Sequence, residues 1–446
     1  MLKKKYSIKI INKIKPYKKS IFIDSDKSIS IRSFLIGSIS EGVSEVKNVL
    51  ESEDVMSTIN SLKKLGIKII KINNRNYKIY GKGLGSLAAK KNTVIDCGNS
   101  GTLARLLIGI LSTTPNIKVK MTGDKSLKNR NMSKLINLMN RFGAEFFPKN
   151  HLNFPLTLQS SEIPIGINYN AGVSAQLKSA VILSGLNSHG QTKIFEKEKS
   201  RNHTENMVLK NSESISIKKD IIKIEGKKPL RSFKLNVPGD PSSAAFFTAL
   251  TLLNKNSYLK ISNTGLNPRR IGFYKLLKKN GAKIFFRKTK TINNEVIGDI
   301  HVYSSSINSI KASSSYYSSA TDEYPIMFVI AALSKGVSSF HGINDLANKE
   351  SNRIEEMKKV LIQLGIKCVS KKNSMKIFGK TNINKKNIII KVPNLGDHRI
   401  CMSTVILSLI TGITSNINGF ETVDTSSPSF LKIIKKLGGN FEIKKR

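Results

Sequence analysis

The chain has 446 residues, a length that predicts two or three domains and excludes a small protein held together by disulfides. Its 74 Lys and Arg residues against 30 Asp and Glu residues give a formal net charge of +44, which is typical of proteins that bind nucleic acid, anionic membranes or acidic substrates. Most of these cations are dispersed Lys residues and Trp is absent, so we interpret the excess as a solvated surface and expect no nucleic-acid partner.

Cysteine usage and hydropathy predict the cellular setting. Cys97, Cys368 and Cys401 lie far apart and show no metal-ligand spacing, which indicates a reducing compartment and no structural zinc. The Lys-containing start has no apolar run of signal-peptide length, and no stretch approaches the roughly 18 apolar residues of a membrane span. We therefore expect a cytoplasmic protein without a membrane partner.

One helix pattern recurs along the chain in six copies. Each copy opens with small, polar or charged residues and then becomes apolar, and the starts lie 67 to 81 residues apart. The six copies span 26–40, 99–112, 173–186, 240–253, 321–333 and 397–410. Their near-constant spacing predicts six repeats of about 74 residues, three to a domain, with VPGD (237–240) as a hinge between the domains.

A second, amphipathic helix pattern follows the first in each copy and ends before a strand-like run. In five copies a Gly separates the two, which predicts a left-handed helix cap. These Gly residues are Gly66, Gly143, Gly281, Gly365 and Gly438. In the weaker sixth copy we expect Asn211 to take that place. The alternative is an ordinary α/β chain whose alternating elements only look periodic.

The starts of the helices in the first three repeats carry groups suited to anions. Lys27, Ser28 and Arg32 supply two cations and a hydroxyl, and the turn NSGT (99–102) can bring backbone N–H groups close to a phosphate. Arg130, SAQ (174–176) and Arg201 add further donors at later helix starts. Any single polar residue at such a place is also explained as a plain N-cap.

Carboxylates accompany the cations in the last three repeats. Asp322 and Glu323 open one helix pattern, and Asp397, His398 and Arg399 open another. The stretch ANKESNR (347–353) contributes Lys349, Glu350 and Arg353. Acids beside bases in an anion site are typical of proton transfer on a charged substrate, although surface ion pairs on a helix would look the same.

These motifs, in this order, resemble the enolpyruvyltransferase family, and within it the 5-enolpyruvylshikimate-3-phosphate (EPSP) synthases. The resemblance runs from about residue 20 to residue 440. It rests on DKSISIR, NSGT, GDKSL, SAQLKSA, SRNHTE, PGDPSSAAFF, DEYP, KES, DHR and TSSPSF. SAQLK and SRNHTE are closer to the bacterial class II branch than to the enteric and plant branch.

The resemblance implies an α/β fold of two lobes, an inside-out α/β barrel with three βαβαββ units in each lobe that closes over its substrates. One lobe would comprise residues 24–237, with most of the shikimate 3-phosphate site. The other would comprise residues 1–23 plus 238–446 and carry Asp322, Glu350, Arg353 and Arg399. We expect a monomer.

The implied reaction transfers the enolpyruvyl group of phosphoenolpyruvate to the 5-hydroxyl of shikimate 3-phosphate and releases phosphate, without a metal or organic cofactor. Asp322 would take the hydroxyl proton, Glu350 would exchange a proton with the methylene carbon, and Lys27 would touch both substrates as a third catalytic residue. The positions that match the shikimate 3-phosphate site are Lys27, Ser28, Arg32, Ser174, Ala175, Gln176, Arg201, Asp322 and Lys349. Those that match the phosphoenolpyruvate site are Lys27, Gly101, Arg130, Gln176, Arg353 and Arg399.

The sequence departs from the family pattern at a few positions, and three other functions remain open. Asp24-Ser25 replaces Pro-Gly, and the usual His, Pro, Arg and Asp are Ile31, Asn131, Ala347 and Asn352. The alternatives are transfer to UDP-N-acetylglucosamine, a basic nucleic-acid-binding protein of related fold, and a family member without catalysis. Enzymes that transfer to UDP-N-acetylglucosamine usually carry a reactive Cys in a loop near their phosphoenolpyruvate Arg. The corresponding stretch here, GDKSLKNRNM (123–132), contains no Cys.

Overall fold

The computed structural model describes residues 5–383 and 388–445. This part of the chain forms two compact units, each with its own hydrophobic core. Unit 1 contains the chain up to Asp24, Gly239–Lys290 and the chain from Val296 onward, and unit 2 contains Ser25–Pro238 and Thr291–Glu295. Residues 1–4, 384–387 and 446 of the predicted lobes lie outside the described residues.

The helices account for most of the apolar core. They are α1 (Lys27–Ser38), α2 (Glu53–Lys64), α3 (Gly101–Ser112), α4 (Lys125–Lys128), α5 (Ser133–Arg141), α6 (Ala175–Leu186), α7 (His203–Asn211), α8 (Pro241–Leu253), α9 (Gly272–Lys279), α10 (Tyr317–Ala320), α11 (Tyr324–Ala332), α12 (Arg353–Ile362), α13 (His398–Thr411) and α14 (Phe430–Leu437). Short 3-10 helices span Ser314–Tyr316, Asn344–Asn348 and Phe420–Thr425.

The strands are mostly short. They are β1 (Tyr6–Ile10), β2 (Lys18–Ile21), β3 (Glu41–Lys47), β4 (Lys68–Asn73), β5 (Asn76–Lys82), β6 (Val94–Asp96), β7 (Lys118–Thr122), β8 (Glu145–Phe147), β9 (Leu156–Gln159), β10 (Asn168–Asn170), β11 (Gln191–Phe195), β12 (Ile215–Lys218), β13 (Ile221–Glu225), β14 (Lys234–Asn236), β15 (Tyr258–Gly265), β16 (Ile284–Ile292), β17 (Glu295–Tyr303), β18 (Lys311–Ala312), β19 (Gly336–His341), β20 (Cys368–Lys371), β21 (Ser374–Gly379), β22 (Ile389–Val392), β23 (Thr414–Ile417) and β24 (Phe441–Lys445).

Within residues 5–383 and 388–445, the strands form six four-stranded sheets with one repeated design. Unit 2 holds the orders β14-β3-β5-β4, β6-β7-β9-β8 and β10-β11-β13-β12, and unit 1 holds β16-β17-β15-β2, β18-β19-β21-β20 and β22-β23-β1-β24. Each sheet has one parallel pair at an edge, as in β14 with β3 or β22 with β23, and antiparallel pairing beyond it. This sixfold repetition confirms the repeats and the α/β fold class predicted from the sequence.

Three helices in each unit are apolar on nearly every side and almost entirely buried, α1, α3 and α6 in unit 2 and α8, α11 and α13 in unit 1. They correspond to the six predicted helix patterns, which are therefore confirmed. The packing of α3 on α6 requires a glycine at Gly109, because a Cβ there would stand 2.7 Å from the Ala180 carbonyl oxygen. The Ser184 hydroxyl donates to the Gly109 carbonyl across the same contact, at 2.8 Å.

The five predicted glycine caps are confirmed, since all of them have positive φ between 67° and 98°. The prediction for Asn211 was wrong. Asn211 is the last residue of α7, and the next residue, Ser212, is extended with φ −156°. The Asn211 side-chain amide donates to the Met207 carbonyl at 2.7 Å, so a side chain satisfies a carbonyl at this helix end.

The three cysteines are free, with Cys97 and Cys401 buried and Cys368 partly exposed. Burial raises the pKa of the Cys97 and Cys401 thiols, so these side chains pack as small apolar groups. In residues 5–383 and 388–445 no helix is long and apolar enough to cross a membrane.

Candidate active site

The buried helices begin at polar caps, and the predicted site residues stand next to those caps. The side chains of Asp26, Ser100, Ser174, Asp240 and Asp397 each accept a hydrogen bond from a backbone N–H in the first turn of α1, α3, α6, α8 and α13. Each of these five residues therefore serves as an N-cap, and Ser174 is also a predicted site residue. The other predicted site residues at these helix starts are neighbours of the caps and lie where the helix dipole favours an anion.

Arg32 lies one turn into α1 and is only 4% exposed. Its Nε donates to Thr204 Oγ1 at 2.9 Å, and its Nη2 donates to Ser179 Oγ at 3.1 Å. Its Nη1 donates to the carbonyl of Ser28 at 3.2 Å. These three bonds hold the guanidinium in one orientation at the start of α1.

Lys27 is the first residue of α1 and is partly exposed. Its Nζ forms an ion pair of 3.0 Å with Asp54, a buried acid in the first turn of α2. No sequence signal points to Asp54, because only the packing of α1 on α2 brings the two side chains together. Asp54 holds Lys27 in one orientation, which is what a cation shared by two ligands needs.

Gly101, Arg130 and Gln176 come together although they are far apart in sequence. A Cβ on Gly101 would stand 2.7 Å from Nη1 of Arg105 and 2.7 Å from Nη1 of Arg130, so both guanidinium groups lie against this glycine. Arg105 Nη1 donates to Gln176 Oε1 at 3.0 Å, and Gln176 Nε2 donates to Thr102 Oγ1 at 3.0 Å. Arg130 itself donates to the Asn99 side chain at 3.0 Å.

Arg105 lies against the predicted site residues Gly101 and Gln176, although neither predicted binding set includes it. It lies one helical turn after Gly101, and its Nη1 also donates to the Gly101 carbonyl at 3.2 Å. The available signal was its type, because Arg is scarce in a chain whose cations are mostly Lys. A scarce Arg on the same helix face as a predicted site residue was evidence for a bidentate donor.

The remaining predicted residues of unit 2 lie at two helix starts. Ser174 caps α6 through a 3.4 Å bond from the Leu177 N–H, and Ala175 is the first helical residue. Arg201 lies in the connection between β11 and α7 and is partly buried.

In unit 1, Arg353 stands at the centre of three carboxylates. Its side chain is 1% exposed, and its Nε and Nη2 lie 2.9 and 3.3 Å from the two oxygens of Asp397. Its Nη2 also lies 2.5 Å from Glu350 Oε2, and its Nη1 lies 3.6 Å from Asp322 Oδ1. Burial by itself lowers the pKa of Arg353, but the three carboxylates outweigh this effect and raise the pKa above its ordinary value, so the guanidinium stays charged.

This arrangement brings the two predicted proton-transfer residues, Asp322 and Glu350, onto one guanidinium. Asp397, which the sequence analysis considered but did not place in the site, is the residue that fixes that guanidinium. Its own position is fixed by the Ser351 hydroxyl at 3.0 Å and by the Arg399 N–H at 2.9 Å.

Lys349 lies beside this cluster in sequence, before Glu350. Its Nζ forms an ion pair of 2.6 Å with Asp345, which also accepts a hydrogen bond of 2.8 Å from the Tyr317 hydroxyl. Lys349 remains about a quarter exposed at its side chain, so it can reach a ligand as well as Asp345.

Arg399, the second residue of α13, is a buried cation with unused hydrogen-bonding capacity. It is 5% exposed, and its guanidinium lies 5.7 Å from the centre of the Phe246 ring. Within the described residues, its Nε and Nη1 have no hydrogen-bond partner. Buried donors of this kind are costly unless a ligand completes them, so Arg399 is a strong candidate for an anion contact.

The residues that depart from the family pattern take local roles. The Asp24 carboxylate accepts hydrogen bonds from the Ser427 hydroxyl and from the N–H and hydroxyl of Ser429, at 2.8 to 3.1 Å. Asn352 caps α12, and Ile31 is a buried core residue of α1. In residues 5–383 and 388–445 no group of three or more His, Cys, Asp and Glu side chains could hold a metal ion.

A family model described as EPSP synthase (3-phosphoshikimate 1-carboxyvinyltransferase) matches residues 11–434. The chain belongs to the EPSP synthase family. A curated relative named 3-phosphoshikimate 1-carboxyvinyltransferase, from Petrotoga mobilis, is 37% identical over 420 residues, covering 94% of this chain and 96% of that protein. A relative of the same name from Zymomonas mobilis is 34% identical and covers 97% of both chains.

Solved structures agree with the family assignment. EPSP synthase from Acinetobacter baumannii matches with a TM-score of 0.85 and 31% identity, covering 99% of this chain and 100% of that chain. The enolpyruvyl transferase NikO from Streptomyces tendae matches with a TM-score of 0.76 at 11% identity, over 99% of this chain and 100% of that one, which shows a shared fold.

Proposed function

We propose that this EPSP synthase family member transfers the enolpyruvyl group of phosphoenolpyruvate to the 5-hydroxyl of shikimate 3-phosphate, releasing phosphate. This is a step of the shikimate pathway toward chorismate and the aromatic amino acids. The observation that carries the proposal is the cluster around Arg353, which holds Asp322 and Glu350 on one buried guanidinium in a chain that matches the family model over residues 11–434.

Shikimate 3-phosphate binds, in this proposal, through Lys27, Ser28, Arg32, Ser174, Ala175, Gln176 and Arg201 of unit 2 and Asp322 and Lys349 of unit 1. The fixed guanidinium of Arg32 and the helix starts of α1 and α6 support this assignment. Both offer donors to a phosphate without a preceding rearrangement, and charge-assisted bonds of this kind are the strong ones.

Phosphoenolpyruvate binds through Lys27, Gly101, Arg130, Gln176, Arg353 and Arg399. The absence of a Cβ at Gly101 leaves the guanidinium groups of Arg105 and Arg130 close to the start of α3. The Nε and Nη1 donors of Arg399 suit a planar carboxylate or a phosphate.

Asp322 acts as the base and Glu350 as the acid in the addition step. Asp322 takes the proton of the 5-hydroxyl as its oxygen bonds to C2 of phosphoenolpyruvate, and Glu350 gives a proton to the methylene carbon, which becomes a methyl group. In the elimination step Glu350 takes a proton back from that methyl group as the C2–O bond to phosphate breaks. Lys27 and the arginines stabilise the charge that develops on the leaving phosphate.

The reaction as written needs no redox or metal step, and we propose that the protein uses no cofactor. We also propose that it works as a monomer in the cytoplasm and belongs to the class II branch. Sedimentation of the purified protein, compared with a standard of known mass, tests whether it is a monomer.

Phosphate release from phosphoenolpyruvate tests the function directly. The purified protein is incubated with phosphoenolpyruvate and either shikimate 3-phosphate, UDP-N-acetylglucosamine or no acceptor. We expect release with shikimate 3-phosphate alone, together with a product whose mass equals the sum of the substrates minus phosphate. Release with UDP-N-acetylglucosamine instead, or no release with either acceptor, contradicts the proposal.

A further inference from the structure

Lys178 lies on α6 within the motif SAQLKSA (174–180), and no proposed substrate contact uses it. Its side chain is fully buried, at 0% exposure. Placing an ammonium group in a protein interior is costly unless carboxylates and hydrogen bonds compensate it. The partners of Lys178 therefore indicate what it does.

Two acids from different elements meet the Lys178 ammonium. Glu196, which directly follows β11, forms an ion pair with it, and Glu205, in the first turn of α7, lies 2.6 Å away. Both acids are buried, at 1% and 0% exposure. Lys178 thus ties two places to α6: the start of the connection between β11 and α7 (residues 196–202), and the first turn of α7 that follows it.

The same connection carries Arg201. Glu196 Oε1 accepts hydrogen bonds from the Ser200 N–H at 2.9 Å and from the Ser200 hydroxyl at 3.0 Å. Burial by itself raises the pKa of Glu196, but the charge of Lys178 and these hydrogen bonds hold it below its usual range. The charged carboxylate closes the loop immediately before Arg201.

Arg32 rests on the neighbouring residues of the same two helices. Thr204, next to Glu205, donates to the hydroxyl of Ser179, next to Lys178, at 2.8 Å. Arg32 donates to both of these hydroxyl oxygens. The contact between α6 and α7 that Lys178 stabilises therefore also supplies the two hydroxyl groups that hold Arg32.

We infer that Lys178 is a positioning residue, whose ion pairs with Glu196 and Glu205 hold Arg201 and Arg32 in the geometry that binds the phosphate of shikimate 3-phosphate. The inference rests on the proposed function and adds to it a residue that touches no substrate. Groups held in place before binding lose less freedom on binding, so a weaker hold lowers the affinity for the ligand they contact.

Lys178→Met tests the inference, because it removes the charge and keeps a side chain of similar length. We expect the KM for shikimate 3-phosphate to rise ~10-fold to 100-fold, while the KM for phosphoenolpyruvate stays within about threefold of wild type. Leu186→Ala is the matched control. It lies at the other end of α6, is fully buried, and loses packing without touching the ion pairs.

Two further variants keep the test decisive if Lys178→Met does not fold. Glu196→Gln keeps the shape of the carboxylate, and we expect it to raise the KM for shikimate 3-phosphate selectively. Lys178→Arg keeps the charge, and we expect it to restore most of the affinity lost in Lys178→Met.

The inference is overturned if the folded Lys178 and Glu196 variants change both KM values equally, or no more than Leu186→Ala does. Wild-type protein in the same assay separates this failure from a failure of the proposed function. If wild type releases no phosphate with shikimate 3-phosphate, the proposed function is wrong. The affinities of wild type and Lys178→Met for inorganic phosphate then still test the positioning role. Equal phosphate affinity in that comparison overturns the positioning role.

Discussion

Arg32 and Arg130 in unit 2 have different hydrogen-bond partners from Arg353 in unit 1. In unit 2, Arg32 donates to hydroxyl and carbonyl oxygens and Arg130 to a side-chain amide oxygen. In unit 1, Arg353 is surrounded by Asp322, Glu350 and Asp397. A guanidinium held by hydroxyl, carbonyl and amide oxygens is fixed in orientation, whereas a guanidinium among carboxylates also orients groups that can exchange protons. We therefore expect anion binding to depend chiefly on residues of unit 2 and proton transfer on residues of unit 1.

Asp322→Asn is expected to have the largest effect, because it removes the base and keeps the shape of the side chain. We expect kcat to fall ~10²-fold to 10⁴-fold with little change in the KM for shikimate 3-phosphate. Steady-state phosphate release measures both. Glu356→Gln on α12, which removes an acid paired with Lys359, is the control and should retain wild-type kcat. Unchanged turnover in Asp322→Asn would refute its role as the base.

Arg32→Ala should show the opposite pattern in unit 2. We expect the KM for shikimate 3-phosphate to rise about 100-fold, since two charge-assisted bonds of roughly 1.5 kcal/mol each are lost. Arg32→Lys should recover part of the affinity, because a Lys keeps the charge without the planar fork. Arg141→Ala, at an exposed Arg of the same unit, serves as the control. A fall in kcat larger than the rise in KM would contradict the assignment of Arg32 to substrate binding.

Asp240→Asn tests a buried ion pair of unit 1 outside the proposed substrate contacts. Burial raises the pKa of Asp240, but Arg270 at 2.8 Å and Arg399 hold it below the usual range. The stability from its ionised form is therefore complete above the ordinary Asp pKa of about 4 and is lost as pH falls through the lower folded-state value. We expect the free energy of unfolding of wild type to exceed that of Asp240→Asn by ~3–5 kcal/mol at neutral pH.

Urea unfolding of wild type and Asp240→Asn at a series of pH values measures this difference. The two free energies of unfolding should converge as the medium becomes more acidic than the ordinary pKa of Asp. A gap that stays constant over the whole acid range would show that the ionisation of Asp240 does not stabilise the fold.

Gly101→Ala should have the smallest effect of the four and should sharpen the distinction within unit 2. The added Cβ would crowd the guanidinium tips of Arg105 and Arg130, both at 2.7 Å, and these flexible ends must shift. We expect the KM for phosphoenolpyruvate to rise about fivefold to tenfold, equivalent to roughly 1 kcal/mol. The KM for shikimate 3-phosphate is the internal control, and an equal rise in both would contradict separate binding sets.

Local features of the sequence were sufficient to predict the elements. The six buried helices, their polar starts and the five glycine caps follow from hydrophobic spacing and capping chemistry, which depend on neighbouring residues. Asn211 shows the limit of that logic, because its side chain bonds the Met207 carbonyl while the backbone leaves the helix extended. A left-handed cap and a side-chain amide can each provide a donor for the last carbonyl groups of a helix, and the sequence pattern alone does not decide between them.

The sequence by itself determined the family motifs, the repeat and which residues stand at helix starts. Only the tertiary structure decided their partners: Asp54 for Lys27, Gln176 for Arg105, Asp397 for Arg353, and Glu196 and Glu205 for Lys178. These pairs join residues 18 to 71 positions apart, and none of them follows from spacing, because packing of the apolar helices sets which polar ends meet.

The separations in sequence are 18 residues for Lys178 and Glu196, 27 for Lys27 and Asp54, 27 for Lys178 and Glu205, 44 for Arg353 and Asp397, and 71 for Arg105 and Gln176. Contacts over such distances are made when apolar helices pack, and the sequence pattern of one helix does not specify which face of another it will meet.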